Sequence, residues 1–165
     1  MNRAWLLLLL SSTALYCQSI PVRPSFEKYP ARRIYKGAPA RPNLNEEQRS
    51  FRTVIRRGAR SPVQFAAHYT VPEFGCGTGC SGFYIVDSIT GRVFDGFTIE
   101  DLPWQWREQH PGDPPTHIQF IPSSRLVEIN GCPNERDCGY YDYVMVEGVG
   151  LKLVQKWLLP QEFQN

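Results

Sequence analysis

The chain has 165 residues, of which 42% are apolar, 13% aromatic and 21% charged. That length suits one domain, and the apolar content is too high for a disordered chain. A net charge of +2 is too small to mark the whole chain as a nucleic-acid binder, and five cysteines, an odd number, need an assignment.

The first residues, Met1-Asn2-Arg3, carry one positive charge and lead into the leucine run Leu6 to Leu10. Small residues follow at Ser11, Ser12 and Ala14. A basic start, a short apolar run and a small-residue exit are the parts of a secretory signal peptide. The run falls well short of the roughly 20 residues that span a bilayer, so no transmembrane span is expected. Cleavage after Ser19 makes residues 1–19 the signal and predicts a secreted or periplasmic protein. Cys17 closes this leader. Lipid anchoring there is the lesser alternative, because Tyr16 stands where a lipoprotein signal carries a small residue. Cys76, Cys80, Cys132 and Cys138 remain, an even set that reads as two disulfides in an oxidising compartment.

Residues 20–43 form a basic arm. Pro21, Pro24, Pro30, Pro39 and Pro42 punctuate it, and the arm carries a net charge of +5. Proline supplies no backbone donor, so extended or disordered chain is expected. A single β-rich domain then covers residues 44–160. It opens with the one substantial helix, expected over 45–57. Asn45 and Gln48 form a capping-box pattern, Arg56 and Arg57 suit the helix end, and Gly58 stops it. Phe51, Val54 and Ile55 make its apolar stripe.

Seven strands are expected after the helix: 65–71, 82–87, 92–97, 118–121, 126–130, 140–147 and 151–158. Asp87 to Gly91, Pro122 to Arg125 and Gly148 to Gly150 supply the hairpin loops between successive pairs. Residues 103–116 hold four prolines and read as a long loop. The resulting fold class is α+β, mainly β: an antiparallel meander with one N-terminal helix, stabilised by disulfides. Charge is segregated, with eleven basic and three acidic residues over 20–60 against six basic and thirteen acidic over 61–165. Either the basic arm and helix lie against an acidic sheet of the same molecule, or one of the two surfaces steers a charged partner. Nucleic acid is not expected, because no recognition motif is present and the compartment is wrong.

Gly75-Cys76-Gly77-Thr78-Gly79-Cys80 allows a tight turn that closes a very small ring. Local pairing, Cys76 with Cys80 and Cys132 with Cys138, is the economical arrangement, and crossed pairing remains open. The spacings C-x3-C and C-x5-C are not those of a strong zinc site, and neither metal nor cofactor is expected. His68, with Glu73 close by in sequence, is a weak candidate for a base and its orienting carboxylate, without an accompanying triad motif. The preferred reading of His68 is a strand histidine bonded to a backbone carbonyl or a neighbouring side chain. His110 and His117 flank the proline-rich loop without a metal spacing. Trp104 and Trp106, with His110 after them and Tyr69 elsewhere, are candidate binding residues, because rigid rings cover area at low entropy cost. The competing reading is that the two tryptophans cap an open end of the sheet.

The segments Phe65-Ala66-Ala67-His68-Tyr69, Phe74-Gly75-Cys76-Gly77-Thr78-Gly79-Cys80 and Asp87-Ser88-Ile89-Thr90-Gly91-Arg92-Val93 resemble an uncharacterised family of small secreted bacterial proteins with the pattern FAGHY…WGCGTGC…D..TG.V. The later Phe120 to Leu126 and the Tyr140-Tyr141 strand continue the likeness, which covers roughly residues 50–157. Ala67 stands in place of the pattern's glycine and Phe74 in place of its tryptophan. The resemblance implies export and brings no activity with it. The expected function is that of an exported, non-catalytic envelope protein that binds a protein or glycan partner, of inhibitor or immunity type. The alternatives are a small secreted hydrolase using His68 with Glu73, and a structural or metal-binding cysteine-rich domain.

Overall fold

The computed structural model describes residues 22–113 and 117–164. The expected export signal, its expected cleavage point and Cys17 lie outside the described residues. Among those described, no helix is long and apolar enough to cross a membrane.

Among the described residues the chain is mainly β, with eight strands in one antiparallel sheet. The strands are β1 (Tyr69–Thr70), β2 (Glu73–Gly77), β3 (Cys80–Asp87), β4 (Val93–Glu100), β5 (Ile118–Phe120), β6 (Leu126–Pro133), β7 (Gly139–Val146) and β8 (Gly150–Leu158). The path runs β1-β3-β4-β6-β7-β8, with β2 added on β3 and β5 added on β6. Among the described residues there are two α-helices, α1 (Arg52–Gly58) ahead of the first strand and α2 (Trp104–Gln109) between β4 and β5.

The sheet turns about the join between β4 and β6, which pair only at Ile99 with Pro133 and Glu100 with Cys132. Gly131 sits at this crossing with φ +153, where a Cβ would fall 2.3 Å from the Glu100 carbonyl oxygen. Only glycine lets the two strands approach so closely. Because the sheet curls there, alternate residues from both halves meet in one core: Phe83 and Ile85 of β3, Ile99 of β4, Val127 and Ile129 of β6, Met145 of β7. Each such fully buried side chain contributes roughly 1.5–3 kcal/mol. The opposite face of β3 presents Tyr84 and Val86 to Ile55 and Ala59 of the helical segment. A third cluster gathers Leu102, Trp106, Tyr140, Leu159 and the Cys132–Cys138 disulfide at one end.

Four expectations need correction. Residues 65–71 are not one strand: Phe65 and Tyr69 bond to each other across a tight turn, with Ala66 at φ 44° and Ala67 at φ 71°, and only Tyr69–Thr70 is extended. Their apolar run reflects burial in the core rather than strand alternation. The glycine- and cysteine-rich stretch is not merely a turn, because β2 pairs with β3 and the Cys76–Cys80 disulfide staples that hairpin, raising the count to eight. The helix is split into a 3-10 turn, Glu47–Phe51, and α1. The capping box is present, since the Gln48 N–H donates to Asn45 Oδ1 at 2.8 Å and the Asn45 N–H to Gln48 Oε1 at 3.1 Å. Finally, the loop over 103–116 contains α2, which forms because the Trp106 ring is drawn into the end cluster.

The arm is a bonded strap. The Tyr35 N–H donates to the Ala67 carbonyl, the Ala40 N–H to that of Ser88 and the Asn43 N–H to that of Gly91, each at 2.8 Å. Arg23 reaches buried Asp142 through Nε at 2.9 Å and also bonds Asn130. Part of the charge segregation is thereby resolved inside the molecule.

Candidate functional site

Strand alternation carries the inner face of β3 from Ile85 through Phe83 to Ser81, at the open end of the core. Ser81 faces Ile99 in β4, and the same side of that strand leads on to Asp101 just beyond its end. His117 precedes β5, two residues before Gln119, so both side chains leave the same side of that segment. Three segments far apart in sequence thus converge. The walls of an open cavity of about 570 Å³ include Ser81, His117, Gln119 and Glu73 on the polar side. Phe26, Ile118, Phe120 and Ile121 form its apolar side.

Ser81 Oγ lies 2.8 Å from His117 Nδ1, and His117 Nε2 meets Asp101 Oδ1. A carboxylate accepts but does not donate, so Nε2 carries the proton toward Asp101 and Nδ1 keeps the lone pair that accepts the Ser81 hydroxyl. This is the tautomer a general base requires. Asp101 Oδ2 is 3.5 Å from Arg107 Nη1 of α2. Both side chains are about a third or more exposed, so solvent screens the pair. Gly79, at φ +70, makes room for Asp101: a Cβ there would sit 2.9 Å from Oδ2. The Asp101 N–H donates to the Gly79 carbonyl at 2.8 Å, so the stapled β2–β3 hairpin also holds the carboxylate's backbone.

Gln119 Nε2 is buried and has no hydrogen-bond partner among the described residues. A buried donor without a partner costs roughly 1–3 kcal/mol and is offset when a ligand oxygen accepts from it. Glu73 sits at the mouth, exposed on one side. Burial on its other side pushes its carboxyl above the usual value of 4.5, and the neighbouring His117 opposes that rise.

The residues singled out in the sequence lie elsewhere, with one exception. His68 approaches Asp87, Nε2 to Oδ1 at 4.0 Å, rather than Glu73. Tyr69 is a core residue, its hydroxyl pushed up to about 12 by burial and by the charge of Asp87. Trp106 is buried and donates from Nε1 to the Tyr140 hydroxyl at 2.9 Å. His110 stacks on the Trp106 ring at 3.7 Å. Trp104 alone of the loop pair presents its ring, at 60% exposure. Glu73 is the exception, because it borders the cavity, though beside His117. Ser81 and Asp101 carry no sequence signal of their own. Among the described residues, no group of three His, Cys, Asp or Glu side chains could hold a metal ion.

The fold and cavity define a disulfide-stapled β domain with a Ser–His–Asp hydrogen-bond chain at the mouth of its core. No family model, no curated protein and no solved structure matches the chain.

Proposed function

We propose that the protein is a small serine hydrolase that cleaves esters of apolar acyl groups at Ser81. The observation that supports this reading is the continuous chain from Ser81 Oγ to His117 to Asp101, opening onto a half-apolar cavity. Ser81 Oγ adds to the ester carbonyl carbon while His117 Nδ1 takes its proton. Asp101 stabilises the imidazolium that forms. Gln119 lines the same cavity, and its amide is assigned to the oxygen that becomes negative, the role of an oxyanion-hole donor once the side chain turns toward the substrate. Collapse breaks the carbonyl–alkoxy bond, and His117 returns the proton to the departing alcohol. Water then adds to the acyl-serine with His117 again as base, releasing the acid and restoring the Ser81 hydroxyl. Phe26, Ile118, Phe120 and Ile121 supply the acyl-group wall.

The test is hydrolysis of p-nitrophenyl butyrate, together with labelling by a fluorophosphonate and peptide mapping. Label on Ser81, and a fall in kcat/KM of about 10³-fold for Ser81→Ala, are expected. Turnover no faster than with denatured protein, or label on another residue, overturns the reading. Export is part of the proposal. It is supported by the leader pattern and by two disulfides, which persist in oxidising compartments, and is checked by finding a secreted chain that begins after Ser19.

A second reading, non-catalytic capture of a protein or glycan partner, is favoured by the exposed ring of Trp104. If capture depends on that ring, Trp104→Ala abolishes it while leaving ester hydrolysis intact.

A further inference from the structure

A second surface, independent of the hydrolase reading, lies where the strap crosses the helical segment. Arg49, Arg52 and Arg56 recur at helical spacing, and Arg60 continues the row just beyond α1. Within α1, Arg52 and Arg56 stand about one turn, roughly 6 Å, apart along the helix axis, with Arg49 in the 3-10 turn before them and Arg60 past the helix end. Arg41 faces this row from the strap. Two open cavities of about 440 Å³ each meet here. The first is lined by Arg41, Arg49, Arg52 and Arg56, the second by Arg41, Arg56 and Arg60. They share Arg41, Pro42 and Arg56, so they form one groove.

All five arginines are exposed. Among the described residues none of them forms an ion pair, since the arginine–carboxylate pairs go to Arg23, Arg32 and Arg107. Only Arg52 donates within the row, from Nη1 to the Arg49 carbonyl at 3.2 Å. Glu46 and Glu47 precede the row and pair with none of its members. Five like charges crowded around one groove repel each other, and a ligand carrying closely spaced anions relieves that repulsion. Arginine's planar fork suits carboxylate, sulfate and phosphate oxygens alike.

The lining distinguishes among polyanions. Single-stranded nucleic acids are held by stacking bases on aromatic rings, and among the described residues no aromatic lines this groove. Nearby Phe51 is already packed against Phe74, ring centroids 4.5 Å apart. Prolines and arginines form a shallow, charged wall suited to a linear sugar chain.

We infer that the groove between the strap and α1 binds an acidic polysaccharide, a linear glycan bearing carboxylate or sulfate groups. The test uses the full chain with heparin as probe, single-stranded oligo-dT as competitor, and titration at rising salt. Arg52→Ser with Arg56→Ser removes two members of the row. Arg32→Ser with Arg33→Ser removes the same charge elsewhere on the strap. The expected result is salt-dependent heparin binding that weakens about tenfold or more in the first variant and changes less than about twofold in the second. Circular dichroism unchanged from the parent confirms that the first variant is folded. Should it be perturbed, Arg49→Ser with Arg60→Ser, at the two ends of the row, is measured instead, with the same expected loss. No heparin binding at low salt, or equal losses in both charge variants, overturns the inference. Oligo-dT binding more tightly than heparin through the same arginines also overturns it, in favour of a nucleic-acid groove.

Discussion

Among the described residues two histidine–aspartate contacts form, and they differ in what surrounds them. At the Ala67 turn, His68 stands 4.0 Å from Asp87. Asp87 is already engaged, with Oδ1 accepting from the Ile89 and Thr90 N–H groups and Oδ2 from the Thr90 hydroxyl. It caps the β3–β4 turn and has little acceptor capacity left to orient an imidazole. His68 instead packs its ring on Tyr69, centroids 4.1 Å apart. At the other end of the core, Asp101 directs one oxygen to His117, and the second imidazole nitrogen meets a serine hydroxyl. A histidine beside an aspartate is therefore not yet a base. It becomes one when the carboxylate is free to orient the ring and a proton donor waits on the far nitrogen.

The largest effect that can break this comparison is on ester hydrolysis. His117→Ala is expected to lower kcat/KM about 10³-fold and His68→Ala to leave it within about twofold. The reverse ranking would transfer the chemistry to the Asp87 end. Asp101→Asn sharpens the point: the amide keeps the shape but loses the charge that stabilises the imidazolium, and a loss of about 10²–10⁴-fold is expected in kcat with KM little changed.

Next in size is the staple beside Ser81. Replacing Cys76 and Cys80 by serine releases a ring of only a few residues, so the chain-entropy model gives about 2 kcal/mol of lost stability, read from urea midpoints. Because the same hairpin positions Gly79 and Asp101, activity should fall further than the lost folded fraction accounts for. Loss in proportion to unfolding alone would show the hairpin to be a passive support.

Glu73→Gln gives a smaller, pH-dependent effect. The folded protein holds the Glu73 carboxyl above its usual value, chiefly through burial. Its contribution to stability is therefore present below the ordinary glutamate range and is lost as pH rises through the raised value. The glutamine variant should be the more stable protein at neutral pH, with the advantage closing below about pH 4; Tm across about pH 3–8 measures it. A difference independent of pH would remove burial of the charge as its cause.

The smallest change is expected at the His68 end. Ala67 adopts φ 71°, the left-handed region that glycine occupies without cost. Ala67→Gly relieves about 1 kcal/mol of strain but removes a buried methyl worth about 0.8 kcal/mol, so the net shift in stability should stay below about 1 kcal/mol. A larger shift in either direction would show that one of the two contributions dominates.

Much of the scaffold was legible before the fold was known. Asn45 and Gln48 announced the helix start, because a capping box is a local exchange of hydrogen bonds. Gly91, at φ +76, closed the β3–β4 turn for an equally local reason. The short loops of Gly75 to Cys80 and Cys132 to Cys138 favoured the pairs that formed. The aromatic loop was misleading because a tryptophan's burial depends on what it meets. Trp106 meets Tyr140 and Phe163 from the far end of the chain, while Trp104, two residues earlier, meets solvent.

The sequence by itself determined strand alternation, turn chemistry, the helix cap and the sign of each charged segment, since each rests on neighbours within a few residues. Only the tertiary structure decided which histidine faces a hydroxyl, which arginines remain unpaired and where Asp101 points. Ser81, Asp101 and His117 come from separate segments, and the Arg41 wall lies opposite a helix it does not adjoin in sequence. Their meeting depends on the curl of the sheet about Gly131 and on the course of the strap. Both are set by packing summed over the whole core, so no short stretch of residues encodes either of them.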